Sequence, residues 1–164
     1  MDKKIIINPA KKEDFEDIWR IFQQVIAGGQ TYVNDENTTK KDAYEKWFNE
    51  SAKTFVAKLG EEIVGAYLMC SNQVGRGSHV ANASYIVDEK KRGLGIGKLL
   101  ANHSIETAAA FGYKAIQFNF VVSTNVAAVN LWKSVGFRII GTVPGGFKHK
   151  ALGFVDAYIM FREL

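Results

Sequence analysis

Hydrophobic side chains along the chain follow two spacings, one typical of strands and one typical of helices. Seven short runs are rich in β-branched and aromatic residues and are bounded by glycine, proline or charged residues: 3–8, 54–59, 63–70, 79–87, 113–122, 137–143 and 154–161. Pro9, which lacks a backbone donor, ends the first run. The segment Gly-Glu-Glu at 60–62 is short enough to join the second and third runs as a hairpin. The pattern therefore predicts seven strands.

Other segments carry apolar residues three and four positions apart, which predicts helices. They cover residues 15–26, 39–49, 96–111 and 126–135. Glycines at 28, 29, 112 and 136 follow three of these segments and are typical of helix ends. Strands and helices alternate in the middle of the chain, and hairpins flank that region. We therefore expect an α/β fold with a mixed sheet and helices on both faces.

The composition limits the size and location of the protein. Its 164 residues are 47% hydrophobic and 23% charged, and no linker divides them, so we expect a single domain over residues 1–164. No apolar segment approaches the roughly 18 residues of a membrane span. The N-terminal sequence MDKKIIIN has only three consecutive apolar residues, too few for a secretory signal. We expect a cytoplasmic protein without a membrane partner.

The charged residues and the potential metal ligands bear on two further classes of protein, those that bind nucleic acid and those that hold a metal. The net charge of +4 comes without an arginine-rich tract or zinc-finger spacing, so we expect no nucleic-acid partner. Cys70 is the single cysteine and the three histidines are far apart in sequence, so no metal site is expected. The positive excess favours an anionic ligand. The densest positive cluster is Lys90, Lys91, Arg92 and Lys98.

This cluster contains a glycine loop, RGLGIGK at residues 92–98, between a predicted strand and a predicted helix. Its three glycines leave backbone N–H groups unshielded at a helix start, where the peptide dipoles favour a negative group. The loop of nucleotide hydrolases is excluded because Leu99 stands where Ser or Thr would bind magnesium. The dinucleotide fingerprint is excluded because Leu100 replaces its third glycine. A glycine-rich turn without a ligand remains the alternative.

Two ordered motifs resemble the signatures of the GCN5-related N-acetyltransferase (GNAT) superfamily. Arg92, Gly95 and Gly97 match its loop pattern Arg/Gln-x-x-Gly-x-Gly/Ala. Residues 125–137, NVAAVNLWKSVGF, are similar to its second signature, Asn-x-x-Ala-x-x-Leu-Tyr/Trp-x-x-x-Gly-Phe. Two motifs in the right order are much harder to match by chance than one. The resemblance is strongest over residues 80–137.

The resemblance implies a mostly antiparallel central sheet of about seven strands, splayed in the middle and flanked by about four helices. It also implies transfer of an acetyl group from acetyl-coenzyme A to the amine of a small molecule, by direct attack on the thioester. The residues that it assigns to acetyl-coenzyme A are Ile86, Val87, Arg92, Gly93, Leu94, Gly95, Ile96, Gly97, Lys98, Asn125 and Lys133. Taken alone, Asn125 is equally expected to cap a helix, and Lys133 to lie on a solvated helix face.

The sequence defines the catalytic groups less well. The splayed strands of the family leave backbone groups that polarise the acetyl carbonyl, and the resemblance puts these near Ile86–Val87 and Asn119–Phe120. Trp132 stands where many relatives have a tyrosine acid, and an indole cannot protonate a thiolate. The candidates for supplying that proton are Tyr85, Tyr158, Ser134 and water.

Asn82 and Asn119, both in otherwise apolar predicted strands, are the candidates for holding and positioning the acceptor amine. Buried amides need hydrogen-bond partners, so these residues either complete an internal network or face a ligand. Tyr32, in the loop before the second predicted helix, either contributes to the acceptor pocket or caps the loop. Residues 145–150, GGFKHK, either close over the acceptor or form a solvated connection.

A weaker resemblance lies within the superfamily. The segments NASY at 82–85 and FNF at 118–120 are similar to acetyltransferases of proline analogues and of the phosphinothricin type. The acceptor is therefore expected to be an amino acid or an analogue. Two alternatives remain open, an acyl-coenzyme A sensor without turnover and a protein or peptide N-acetyltransferase. By the same resemblance we expect a homodimer.

Overall fold

Seven strands form one sheet in the computed structural model, which describes residues 4–164. They are β1 (Ile5–Pro9), β2 (Lys53–Leu59), β3 (Glu62–Ser71), β4 (Val80–Val87), β5 (Ala115–Val122), β6 (Arg138–His149) and β7 (Gly153–Glu163). The order across the sheet is β1-β2-β3-β4-β5-β7-β6, and every neighbouring pair is antiparallel except β4 and β5. The predicted α/β fold with a mostly antiparallel sheet is confirmed. Lys3, where the first predicted strand begins, lies outside the described residues.

The described chain has four α-helices, each where the apolar spacing predicts one. They are α1 (Phe15–Gly28), α2 (Lys40–Phe48), α3 (Ile96–Ala110) and α4 (Val126–Ser134). At the start of α2, the Thr39 hydroxyl accepts a hydrogen bond from the Asp42 N–H, and the Asp42 carboxylate accepts one from the Thr39 N–H. α1 ends at Gly28 and is followed by Gly29, which caps the helix with a left-handed φ of 59°. Within residues 4–164 we find no helix with the length and apolarity needed to cross a membrane.

The sheet separates two hydrophobic cores, and this is why helices lie on both of its faces. The core under α3 and α4 includes Tyr67, Leu100, Ile116, Phe118 and Met160. The core under α1 and α2 includes Ile18, Phe22, Trp47, Val56 and Ile86. β3 is buried on both faces from Ile63 to Met69, in agreement with its nearly continuous apolar sequence.

β4 and β5 run parallel but separate after two residue pairs. Val80 pairs with Ala115 and Ala81 pairs with Ile116, where the ladder ends. Beyond this point β4 stays paired with β3 and β5 stays paired with β7, so the two strands diverge toward their C-terminal ends. The glycine loop and the first turn of α3 lie at the wide end of this opening. The predicted splay in the middle of the sheet is confirmed.

β6 is longer than the hydrophobic pattern predicts. The sequence analysis ends this strand at Val143, whereas the structure continues it to His149 and pairs its last residues with the start of β7. The register shifts between Val143 and Phe147, in the segment that contains Pro144. Proline cannot donate to a ladder, and a bulge of this kind interrupts the alternation of apolar and polar residues. The hypothesis of a loop over residues 145–150 is therefore wrong.

The turn after β6 is hydrogen-bonded to the end of α1. The Lys150 N–H donates to the Gly29 carbonyl at 3.1 Å, and the Lys150 ammonium donates to the Ala27 carbonyl at 3.1 Å. A cation at this point complements the negative end of the helix dipole. The segment is a paired strand whose tip is bonded to α1, and most of its residues are exposed to solvent. Closure of this segment over the acceptor stays a prediction.

An ion pair with a buried carboxylate and a partly exposed arginine joins α1 to the start of the glycine loop. Asp88, directly after β4, is 1% exposed and accepts a hydrogen bond from Arg20 Nη1 at 2.6 Å. Arg20 also donates to the Ile63 carbonyl at 3.3 Å. Burial alone would raise the pKa of Asp88. The hydrogen bonds from Arg20 and from the Lys90 N–H outweigh burial and hold that pKa below its ordinary value.

Replacing Arg20 with Met should lower the free energy of unfolding by about 2 kcal/mol at neutral pH, because the buried Asp88 carboxylate loses its counter-charge. A carboxyl whose folded pKa is depressed contributes stability above its unfolded pKa of about 3.9, and this contribution disappears as the pH falls through the folded value. Urea unfolding of wild type and variant should therefore differ at pH 7 and converge in acid.

Lys41→Met is the matched control, since its ion pair with Glu45 spans 3.9 Å between exposed side chains. Its effect should stay within about 0.5 kcal/mol. Equal losses for the two variants at neutral pH, or an Arg20 effect that does not shrink with acid, would contradict the assignment.

Candidate functional site

The glycine loop leaves the start of α3 open to a ligand. Gly93 and Gly95 adopt left-handed φ values of 82° and 73°, and a Cβ added at either position would meet no atom within 4 Å. The first helical hydrogen bond runs from the Leu99 N–H to the Gly95 carbonyl at 3.1 Å. The N–H groups of Gly97 and Lys98 have no acceptor within residues 4–164, and no side chain caps the helix. Free amides at a helix N-terminus form a site for a phosphate group.

The charges around this helix start also favour an anion. The first turn of α3 contains no acidic residue, so nothing in it competes for the free amides. Arg92 and Lys98 are exposed and lie in no ion pair of the described chain, whereas Lys91 is paired with Glu62 at 2.9 Å. Two cations thus remain available beside the loop, in agreement with the predicted pyrophosphate site.

The strand β4 turns alternate backbone groups toward the opening. The Val80 carbonyl accepts a hydrogen bond from the N–H of Asn72, directly after β3, and the Asp88 N–H donates to the Val64 carbonyl in β3. The even-numbered residues of β4 therefore direct their N–H and C=O groups at β3. Odd-numbered residues, Val87 among them, therefore direct their N–H and C=O groups into the opening. Ile86 is even-numbered, and its side chain is 2% exposed. The assignments of Ile86 and Val87 to the cofactor stay predictions, with the backbone groups of Ile86 directed at β3 and those of Val87 directed into the opening.

The opposite wall of the opening is interrupted as well. In β5 the register with β7 shifts between Phe118 and Val121, so Asn119 and Phe120 have no partner residues in β7. Such a bulge leaves main-chain groups outside the ladder. The sequence analysis expects free backbone groups at this place, and the strand pairing agrees with that expectation.

Tyr32 connects the segment after α1 to the opening. Its hydroxyl donates to the Tyr85 carbonyl at 3.1 Å, and its ring packs edge-on against Phe22 with centroids 5.3 Å apart. Burial raises the pKa of Tyr32, although hydrogen bonds with Ser84 and Tyr85 act in the other direction. A neutral phenol therefore lies over β4 beyond the point where β4 leaves β5.

Tyr85 and Trp132 belong to the aromatic core under α3 and α4. Their ring centroids are 4.7 Å apart, and Trp132 is 8% exposed. Ser104 Oγ donates its proton to the Ala101 carbonyl at 2.7 Å. The Tyr85 hydroxyl lies 2.7 Å from Ser104 Oγ and is therefore the donor in the Tyr85–Ser104 hydrogen bond. Burial raises the pKa of Tyr85 despite this bond. The catalytic role predicted for Tyr85 stays a prediction, with its hydroxyl directed at α3.

The two candidate asparagines share the sheet face opposite α3 and α4. Ala81 and Ala83 lie in the core under α3, so Asn82 between them faces the other side. Its side chain makes no hydrogen bond within the described chain. Asn119 Nδ2 donates to Asn72 Oδ1 at 2.6 Å, and Asn119 Oδ1 accepts from a neighbouring glutamine at 3.0 Å. Asn119 thus completes a local amide network, whereas Asn82 is free to meet a ligand.

Asn125 has the capping role that the sequence allows. Its Oδ1 accepts from the Ala128 N–H at 3.3 Å at the start of α4, which leaves its Nδ2 without a partner in the described residues. Lys133 is exposed on α4. Both assignments to the cofactor stay predictions, and the capping geometry is compatible with a second bond from the Asn125 amide.

A cleft of about 280 Å³ lies between the end of α1, the start of α4 and the end of β6. Three segments distant in sequence line it: Gln30 and Thr31 after α1, residues 124–127 at the start of α4, and His149 at the end of β6. The Nδ1 of His149 accepts hydrogen bonds from two N–H groups of its own turn at 3.0 and 3.1 Å. The sequence analysis includes His149 in the segment 145–150 but does not link it to Gln30, because no spacing connects them and only the hydrogen bond from Lys150 to Gly29 brings the two segments together. Residues 4–164 contain no group of acidic, histidine or cysteine side chains able to hold a metal ion.

Comparison with known proteins agrees with this geometry. The profile of the Acetyltransferase (GNAT) family matches residues 14–137. An N-acetyltransferase of Schizosaccharomyces pombe is 31% identical over 148 residues, which cover 80% of this chain and 71% of that protein. An L-amino acid N-acetyltransferase of Escherichia coli is 28% identical over 167 residues, 97% of this chain and 98% of that protein. A Bacillus subtilis protein named for phosphinothricin acetyltransfer is 28% identical over 94% of this chain and 96% of its own.

Solved structures share the fold over nearly the whole chain. A GCN5-related N-acetyltransferase from Kribbella flavida has a TM-score of 0.94 and 38% identity, and 98% of each chain is covered. A protein from Salmonella typhimurium, solved with its cofactor acetyl-CoA, has a TM-score of 0.85 and 20% identity over 98% of this chain and 94% of its own. At that lower identity the match supports the fold alone.

Proposed function

The chain belongs to the acetyltransferase (GNAT) family, and we propose that it transfers the acetyl group of acetyl-coenzyme A to the amine of an amino acid or an analogue. The resemblance carried by the two sequence motifs is thereby confirmed. The observation that carries the proposal is the set of free amides at the start of α3, beside the opening between β4 and β5. The name of the Escherichia coli relative supports the acceptor class.

In this proposal the glycine loop binds the pyrophosphate of acetyl-coenzyme A. The amides of Gly97 and Lys98 donate to its oxygens, and the charges of Arg92 and Lys98 offset its negative charge. The odd-numbered backbone groups of β4, Val87 included, pair with the amides of the pantetheine arm as a further strand would. The free Nδ2 of Asn125 donates to the same arm from the other side of the opening.

The backbone supplies the electrostatic part of the reaction. The neutral acceptor amine attacks the thioester carbonyl, the carbon–sulfur bond breaks, and the electron pair leaves with the sulfur of coenzyme A. A main-chain N–H that faces the opening stabilises the negative charge on the carbonyl oxygen, since it is already oriented and shielded from water. The proton released by the amine ends on the thiolate or in solvent, so atoms and charge balance.

An acid on the protein is not required for the departing sulfur. A thiol has a pKa of about 8.5, so its anion leaves more readily than an alkoxide would. Trp132 has no acidic proton, and the hydroxyl of Tyr85 donates to Ser104 within the core. We propose that water protonates the thiolate and that Tyr85 has a structural role.

Incubation with acetyl-coenzyme A and a panel of amines, followed by detection of free thiol, tests the function. We expect thiol release with one or more free amino acids and mass addition of an acetyl group to the acceptor. Binding of acetyl-coenzyme A without thiol release from any amine would refute turnover and favour a sensor. A peptide that outperforms every free amino acid would refute the small-molecule acceptor.

Gly95→Glu should weaken binding of acetyl-coenzyme A by at least about tenfold in titration calorimetry, because a carboxylate then occupies the anion site. Gly112→Glu is the matched control at the other end of α3, since Gly112 also has a left-handed φ, 86°, and no atom within 4 Å of an added Cβ. Both variants carry the same backbone strain and charge change. An equal loss of affinity in both would contradict the loop assignment.

Tyr85→Phe should leave kcat within about threefold of wild type and lower the free energy of unfolding by about 1 kcal/mol, because Ser104 loses a hydrogen bond. Steady-state kinetics and urea unfolding measure the two effects. A loss of kcat of about a hundredfold, with the pH–rate profile flattened at high pH, would instead identify Tyr85 as the acid.

The expected homodimer stays a prediction. Phe154 exposes 75% of its surface on β7, and Val143 on β6 is 39% exposed, so the last two strands offer an apolar contact. Light scattering should give twice the chain mass of 18.2 kDa.

A further inference from the structure

The ammonium group of Lys46 on α2 lies among aromatic rings without an anionic partner. Its Nζ is 5.1 Å from the ring centroid of Tyr32 and 5.7 Å from that of Phe22. Within residues 4–164 no carboxylate approaches it within 4.0 Å. By contrast, Lys40 pairs with Glu16 at 2.6 Å, and Lys41 pairs with Glu45 at 3.9 Å. Lys46 is therefore the lysine of α2 whose charge the protein does not neutralise.

Holding an unpaired cation in a partly buried site costs free energy. Burial lowers the pKa of Lys46, and attraction to Cys70 acts in the opposite direction without cancelling it. The faces of Tyr32 and Phe22 attract the ammonium, a contact worth about 0.5–2 kcal/mol, and so fix its position. The two rings carry no negative charge, so they do not neutralise the ammonium group of Lys46. A fixed and uncompensated charge is suited to an anion that arrives with a ligand.

Lys46 borders the same side of the opening as Asn82. The Tyr32 ring beneath the ammonium carries the hydroxyl that bonds the Tyr85 carbonyl, one of the groups of β4 that face the opening. Cys70, which is close enough to Lys46 to influence its pKa, is the cross-strand partner of Asn82. α1, α2 and the candidate acceptor residues all lie on this face of the sheet. The cation and the free Asn82 amide thus lie on the same face of the sheet.

We propose that Lys46 binds the carboxylate of the acceptor, so that the substrates are amino acids in which the carboxylate is retained and not simple amines or amides. The inference rests on the proposed acetyltransfer and names the substrate class of the same site. Lys46 holds the carboxylate end and Asn82 contacts the polar groups next to it. The amine is thereby directed toward the opening, where the thioester lies. Two fixed contacts define the orientation of a small acceptor.

Paired acceptors and paired variants test this role. The acceptor pair is the free amino acid that gives the fastest thiol release and its primary amide, which has the same amine and side chain but no negative charge. The variants are Lys46→Met, which keeps the apolar stem, Lys46→Arg, which keeps the charge, and Lys41→Met, a control on the exposed face of the same helix. Acetyl-coenzyme A affinity and thermal unfolding are measured for each variant.

Wild type should prefer the amino acid over its amide, and Lys46→Met should lower kcat/KM for the amino acid by at least about tenfold, mainly through KM. The same variant should change kcat/KM for the amide less than about twofold. Lys46→Arg should retain most of the preference, and Lys41→Met should behave as wild type.

Equal loss for both acceptors, or no loss for either, would overturn the role of Lys46 while acetyltransfer itself stands. A wild type that prefers the amide would overturn it without any variant. If wild type bound acetyl-coenzyme A but released no thiol with any amine, the proposed function and this inference would both fail.

Discussion

The separation of β4 and β5 after two paired residues is the constraint on which the rest of the structure depends. Parallel strands normally continue their ladder, since unpaired main-chain groups inside a sheet are costly. Here β3 and β7 satisfy the outer sides of the two strands, and the inner sides stay open. The inner groups of β4 thereby become available to a ligand that is itself rich in amides. The opening also ends beside the free amides of α3, so a phosphate site and a strand-like site are continuous.

Two sets of contacts keep the opening in place although the strands that form it do not hold each other. On the α1 side, the Arg20–Asp88 ion pair fixes the chain where it leaves β4 and turns into the glycine loop. On the β6 side, the Lys150 N–H bonds the end of α1 and connects the far edge of the sheet to the first helix. The core under α3 and α4 packs against both walls, β4 and β5. The geometry of the site therefore depends on contacts remote from the reacting groups.

Much of this arrangement could be predicted from the sequence, and the failures have physical causes. The glycine loop was predictable because the need for free amides restricts which residues can occupy its positions. The extension of β6 to His149 was not, because Pro144 and the following glycines interrupt the alternation on which strand prediction depends. Motif positions do not reveal which backbone groups face β3, so the orientation of Ile86 could come only from the strand pairing. Lys46 gave no signal, since one lysine on an amphipathic helix is most often solvated and only the fold puts it between two aromatic rings.

The bond from the β6–β7 turn to α1 has a consequence for how acceptor choice can change. A main-chain N–H makes that bond, so the length of the turn matters more to it than the side chain at position 150. Surface turns tolerate insertions and deletions without disturbing a core. Adding or removing a residue in this turn would change the distances between the residues that line the cleft around His149. The glycine loop would not be affected. Acceptor choice can therefore be changed, in evolution or in the laboratory, by varying a single hairpin tip while the glycine loop stays the same.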